Sequence, residues 1–165
     1  MTKLDRREKV RERVTNQEIW SQRPPLIKEG TNFMVEKNEV KMTKRHKLLV
    51  IDDNEKIVDI LTRFLSQKYD VITAYKGLDG LKAFEAHKGD IDVVITDLVM
   101  PVISGLGVIS FIKKKYPGTP VIAITGWGED SVTLAMEANA DVALNKPFDL
   151  ADLGRQVTGL LGEKG

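Results

Sequence analysis

Leu48-Leu49-Val50-Ile51-Asp52-Asp53-Asn54 sets four aliphatic residues directly against two acids and an amide. A run with no polar position leaves no wet face, which is the pattern of a strand buried on both sides. The acid pair then marks where the chain leaves the core. The same grammar recurs downstream: Val71 to Ala74, Val93 to Ile95 with Thr96-Asp97 behind it, Val121 to Ile124 with Thr125, and Val142 to Leu144 with Lys146-Pro147 shortly after.

Between these runs the apolar period changes to that of helices. Ile57, Ile60, Leu61, Phe64 and Leu65 form one stripe, Leu78, Leu81 and Phe84 a second, and Val108, Phe111 and Ile112 a third. Val132, Ala135 and Met136 form a fourth, and Leu150, Leu153, Val157, Leu160 and Leu161 the last. Five strand–helix alternations predict an α/β fold, a five-stranded parallel sheet with helices on both faces. Asn54 is placed to cap the first helix and Asp149 the last, while Pro101 and Pro117-Gly118 fall between elements, where a helix cannot continue.

The chain has 165 residues, 42% hydrophobic and 30% charged, which suits one packed domain and excludes wholesale disorder. No apolar run approaches the roughly 18 residues of a membrane span, so no membrane association is expected. The charged N-terminus does not read as a secretory signal. An absence of cysteine excludes disulfides and thiolate metal sites and fits a cytoplasmic protein.

A formal net charge of +1 conceals two different pieces of chain. Residues 1–47 carry 13 Lys/Arg against 7 Asp/Glu, and the remainder 12 against 17. The first piece has clustered charges, a Pro24-Pro25 break and scattered apolar residues, too few for a core. We therefore divide the chain into a basic, flexible extension over 1–43 and a folded domain over 44–165. Asp5 to Trp20 can form a short helix, marginal alone. Mixed signs favour a solvated extension over an arm that docks on a partner, an acidic surface or a nucleic acid, and nucleic acid is not an expected partner. Met42-Thr43-Lys44 repeats Met1-Thr2-Lys3 directly before the first strand, which makes Met42 an alternative translation start.

The residues behind the strands carry the chemistry. In a parallel α/β sheet they converge on one edge, where ligands bind. An acid pair, a lone acid, a hydroxyl and an ammonium on that edge suit a phosphoryl group and a hard divalent cation, and so phosphoryl transfer onto a carboxylate. Taken singly, each has a plainer reading. Asp52 and Asp53 can be helix caps or an acid/base pair, although two acids on one loop cannot flank a substrate as glycoside hydrolysis needs. Two adjacent carboxylates also ask for a cation between them, and magnesium takes few carboxylates with water. Asp97 can be ligand, nucleophile or cap; Thr125, opening into Gly126-Trp127-Gly128, can donate to a phosphoryl oxygen; Lys146 is set by Pro147, whose bond can be cis. Their joint order at the strand ends favours the phosphoryl site.

Val50-Ile51-Asp52-Asp53-Asn54, Thr96-Asp97 with Met100-Pro101 and Gly105, Ile124-Thr125 and Lys146-Pro147-Phe148 together resemble the receiver domain of two-component response regulators, over about Lys47 to Leu161. The resemblance implies a flavodoxin-like doubly wound sheet of order 2-1-3-4-5. It makes Asp97 the phosphoacceptor, and it makes Asp53, Asp97 and the Val99 carbonyl direct Mg2+ ligands, with Asp52 acting through water. Thr125 becomes the switch hydroxyl and Lys146 the phosphate partner. A histidine kinase or histidine phosphotransfer protein is the implied donor, a downstream protein the target, and a homodimer is left open. The domain so implied signals rather than turning over a substrate, while assisting its own phosphorylation and dephosphorylation.

One position departs from the pattern. Three residues before the lysine, where the family usually has an aromatic that changes rotamer, stands Ala143. Signalling through the fourth helix and fifth strand is then expected to be weaker or to use Trp127, which otherwise reads as an exposed loop residue. His46 and His87 do not read as phosphodonors, and Lys113-Lys114-Lys115 reads as a solvated helix end. A flavin binder of the same fold would want Ser, Thr and Gly where Asp52-Asp53 would repel its phosphate, and an aspartate-nucleophile phosphatase would want Asp-x-Asp there. A stand-alone receiver is the expectation; a hybrid-kinase fragment and a receiver-like module that is never phosphorylated are the alternatives.

Overall fold

The structure, a computed structural model, describes residues 44–87, 89–126 and 128–162. The 1–43 extension, its Asp5 to Trp20 helix, and Trp127 lie outside the described residues. The described chain alternates strictly: β1 Lys47–Ile51, α1 Glu55–Leu65, β2 Asp70–Ala74, α2 Gly77–Ala86, β3 Val93–Asp97, α3 Gly105–Lys115, β4 Val121–Thr125, α4 Gly128–Glu137, β5 Val142–Asn145 and α5 Leu150–Gly162. All five strands are parallel, in the order β2-β1-β3-β4-β5.

Side chains alternate across the sheet and build two cores. Leu49, Ile51, Val94, Val121 and Ala123 meet Phe84, Val108, Ile109, Ile112 and Ala135 on the face of α2, α3 and α4. Leu48, Val50, Val93, Ile95, Ile122 and Ile124 meet Leu61, Leu65, Leu153 and Val157 on the face of α1 and α5. Fully buried aliphatic runs occur in β1, β3 and β4, as the sequence implied. β2 and β5 are the sheet edges, so most of their residues are only half-buried.

Three helical stripes differ from the periodicity. Ile60 is exposed and Val58 takes its place in the core, while Leu78 and Met136 are also exposed. The cause in α2 is close approach: a Cβ on Gly80 would stand 2.4 Å from Ile51 Cδ1. α2 therefore packs through Gly77, Gly80 and Phe84, and Leu78 turns outward. The lysine run after Ile112 is not simply solvated. Lys113 has a side chain only 11% exposed and pairs with Asp141, whose carboxylate also accepts from the Val121 N–H at 2.6 Å. Lys115 pairs with Glu85 at 2.9 Å, and Lys114 is exposed.

The caps expected at Asn54 and Asp149 are present, and Ser104 adds a third. Asn54 accepts from the Lys56 N–H at 3.1 Å, Ser104 caps α3 by accepting from Gly107, and Asp149 accepts from the Ala151 N–H at 2.8 Å. His46 faces Asp92 and His87 closes α2 against the Ala83 carbonyl, both surface roles.

Candidate phosphoryl site

Asp97 is the last residue of β3, paired in register with Ile124, and Thr125 is the last residue of β4, paired with Asn145. Asp52 follows β1 and Lys146 follows β5. Four adjacent strands thus deliver Asp52, Asp97, Thr125 and Lys146 to one edge, because parallel strands all end on the same side. Burial separates their roles: Asp52 is 1% exposed, Asp97 7% and Thr125 0%, whereas Asp53 is exposed.

Lys146 holds the centre. Its Nζ stands 3.1 Å from Asp52 Oδ2 and 3.3 Å from Asp97 Oδ2. Its backbone N–H donates to the Thr125 carbonyl at 2.6 Å, which ties the lysine to the end of β4. The Lys146–Pro147 peptide is cis. Asp52 uses its other oxygen to accept from the Asn54 N–H at 2.8 Å, which steadies the residue that caps α1; the cap itself is Asn54, so Asp52 is not one, and its second oxygen faces the site. For Asp97 a cap is ruled out, since Ser104 fills that place on α3.

Burial raises the Asp97 pKa above the ordinary carboxylate value, with the Asp52 charge adding to it; the Lys146 ammonium and the Val99 N–H work against them. A desolvated carboxylate of raised basicity is the better nucleophile. One ammonium cannot neutralise three carboxylates. Asp52, Asp53 and Asp97 each offer an oxygen within 4.8 Å of the others, a set of hard donors that fits Mg2+.

The loop after Asp97 is tightly held. A Cβ on Gly105 would lie 1.9 Å from the Asp97 carbonyl oxygen, so α3 starts directly against the strand it follows. The Ile103 N–H donates to the Pro101 carbonyl at 2.8 Å across Val102, whose φ is 68°. Val99 is half exposed beside Asp97. Sequence reading did not find Ser131: on α4 and buried, it accepts a hydrogen bond from the Thr125 hydroxyl at 2.8 Å. Its signal was a polar residue four positions from Ala135, on the stripe that faces the core.

Among the described residues no helix is long and apolar enough to cross a membrane. Residues 48–158 match the family model of the response regulator receiver domain. The chain is 38% identical over 127 residues to the probable transcriptional regulator ycf27 of Cyanidium caldarium, covering 74% of this chain and 49% of that one. It is 32% identical over 117 residues to the alkaline phosphatase synthesis transcriptional regulatory protein PhoP of Bacillus subtilis strain 168, covering 70% and 48%. A receiver domain protein structure from Clostridium thermocellum superposes with a TM-score of 0.69 at 37% identity, covering 72% of this chain and 96% of that one. The chain spans about half the length of these curated relatives. With the strand order, the match over residues 48–158 and these likenesses agreeing, the chain belongs to the response regulator receiver domain family of two-component signalling.

Proposed function

We propose that Asp97 accepts a phosphoryl group from a phosphohistidine on a histidine kinase or histidine phosphotransfer protein. The reading rests on one observation above the others: Lys146 Nζ lies between Asp52 and Asp97, 3.1 and 3.3 Å from their oxygens, at the edge where four strands end. An Asp97 oxygen attacks phosphorus, the phosphorus–nitrogen bond breaks, and the departing imidazole keeps the electron pair and takes up a proton. The product is an aspartyl phosphate, close to doubly charged.

Lys146 offsets the charge that develops on the equatorial oxygens, and its carbonyl-tied backbone keeps it there. Thr125, at the end of β4, then turns its single hydroxyl proton, now given to Ser131, toward one of those oxygens. Asp52, Asp53, Asp97 and the Val99 carbonyl are the proposed holders of Mg2+, which when bound supplies electrostatic stabilisation of the transferring group. The exposed flank at Asp53 and Val99 leaves the site open toward a donor.

The domain we assign as the receiver is 44–165, with 1–43 as an extension, and the cytoplasm is the compartment where such donors present their phosphohistidine. The output is a conformational change read by a downstream protein. A phosphotransfer screen tests the reading: labelled histidine kinases and phosphotransfer proteins are mixed with this chain and with Asp97→Asn. Transfer to the native chain from at least one donor, and none to the variant, is the expected result; no transfer from any donor, with the donors retaining label, would count against it.

A further inference from the structure

Thr125 and Ser131 form a buried hydroxyl pair, 2.8 Å apart and 0% and 9% exposed, that joins the end of β4 to α4. The usual alternative link is missing, since Ala143 on β5 has no side-chain rotamer to change. From these two facts we infer that Ser131 is the positioning residue through which Thr125 conveys phosphorylation of Asp97 to α4; the inference rests on the receiver reading above.

A threonine hydroxyl has one proton, and here it is donated to Ser131 Oγ. Donating it to a phosphoryl oxygen on Asp97 means withdrawing it from Ser131. The Thr125 backbone is held by the Lys146 N–H at 2.6 Å and by its place in the sheet, so the hydroxyl turns about χ1 while the main chain stays. Ser131 then loses a donor that it holds at 2.8 Å, and its hydrogen bonding changes.

That residue sits on the packing face of α4. Ser131 and Ala135 are four apart and both buried, so they share the stripe that lies against the sheet. Ala135 belongs to the same core as Ala123, Ala140 and Ala143. These alanines offer little side chain to key α4 in place, so a changed hydrogen bond at Ser131 can alter how the helix rests on β4 and β5.

Amide exchange tests this, with magnesium and beryllofluoride as the phosphoryl mimic, on the native chain, Ser131→Ala and Ser131→Thr. In the native chain the mimic should protect amides near Asp53 and Asp97 and change exchange over residues 131–137 by about 2–10-fold, the ratio that one buried hydrogen bond corresponds to. Ser131→Ala should keep the protection near Asp53 and Asp97 but lose most of the change over 131–137. Ser131→Thr, which keeps a hydroxyl, should restore it. A native-sized response of α4 in Ser131→Ala overturns the inference, as does failure of Ser131→Thr to restore it. Loss in Ser131→Ala of the protection at Asp53 and Asp97 also overturns it, because Ser131 would then be needed to form the site. If the native chain shows no protection at Asp53 and Asp97, the receiver reading itself fails and takes this inference with it.

Discussion

Replacing Asp97 with asparagine should make the metal-free protein more stable. Lys146 attracts Asp97 across 3.3 Å, worth ~5 kcal/mol at an effective dielectric of about 20, and Asp52 repels it at no more than 4.8 Å, worth ~3.5 kcal/mol. The surplus of ~1.5 kcal/mol is smaller than the cost of keeping a carboxylate out of water, several kcal/mol per ion. Burial therefore wins, in line with the raised Asp97 pKa. Asparagine keeps the shape, can still accept from the Val99 N–H, and leaves the Lys146–Asp52 pair in place. The gain is about 1–2 kcal/mol, or a rise in Tm of roughly 4–8 °C for a domain of this size.

The pH dependence has a definite sign. Between the ordinary value of 3.8 and the raised folded value, the folded state holds a proton that the unfolded state has lost, so native stability falls as pH rises through that window. The advantage of Asp97→Asn is thus full above the folded pKa and shrinks as pH falls toward 3.8. Thermal melts in EDTA across pH measure both. An unchanged or lower Tm for Asp97→Asn at neutral pH, or an advantage that grows in acid, would mean that burial does not outweigh the attraction of Lys146.

Three further outcomes are expected. Magnesium at ten times its Kd should add about 1.4 kcal/mol, close to 5 °C in Tm, and Asp53→Asn should remove at least half of that rise if the acid triad holds the ion. Gly105→Ala should cost about 3 kcal/mol in denaturant melts and slow phosphorylation of Asp97, because its Cβ would meet the Asp97 carbonyl oxygen at 1.9 Å; a neutral substitution would mean the loop yields without strain. Starting the chain at Met42 should leave Tm and reactivity nearly unchanged, and a fall beyond about 5 °C would show that the extension packs on the receiver.

Much of this architecture was legible because burial on both faces writes itself as uninterrupted aliphatic runs. Leu48 to Ile51 and Val93 to Ile95 could be read that way, and so the acids behind them could be placed on one edge. Side-chain exposure on α2 could not, since Leu78 is turned outward by the approach of Gly80 to Ile51, a contact between residues far apart in sequence. The same holds for Lys113, which is drawn to Asp141 on the far side of β4. Asp52 lay beyond the cap because Asn54 takes that place on α1, which leaves one Asp52 oxygen to hold the Asn54 N–H and the other to meet Lys146. Ser131 was hidden because its partner, Thr125, is met only once α4 folds back over the end of its own strand.

Everything proposed for this receiver depends on Asp97 being its phosphoacceptor. Intact-mass measurement after incubation with acetyl phosphate and magnesium tests it most directly. The native chain should gain one phosphoryl group, with none added in EDTA and none on Asp97→Asn. Phosphorylation that persists on Asp97→Asn, or that proceeds undiminished without a divalent ion, would contradict it.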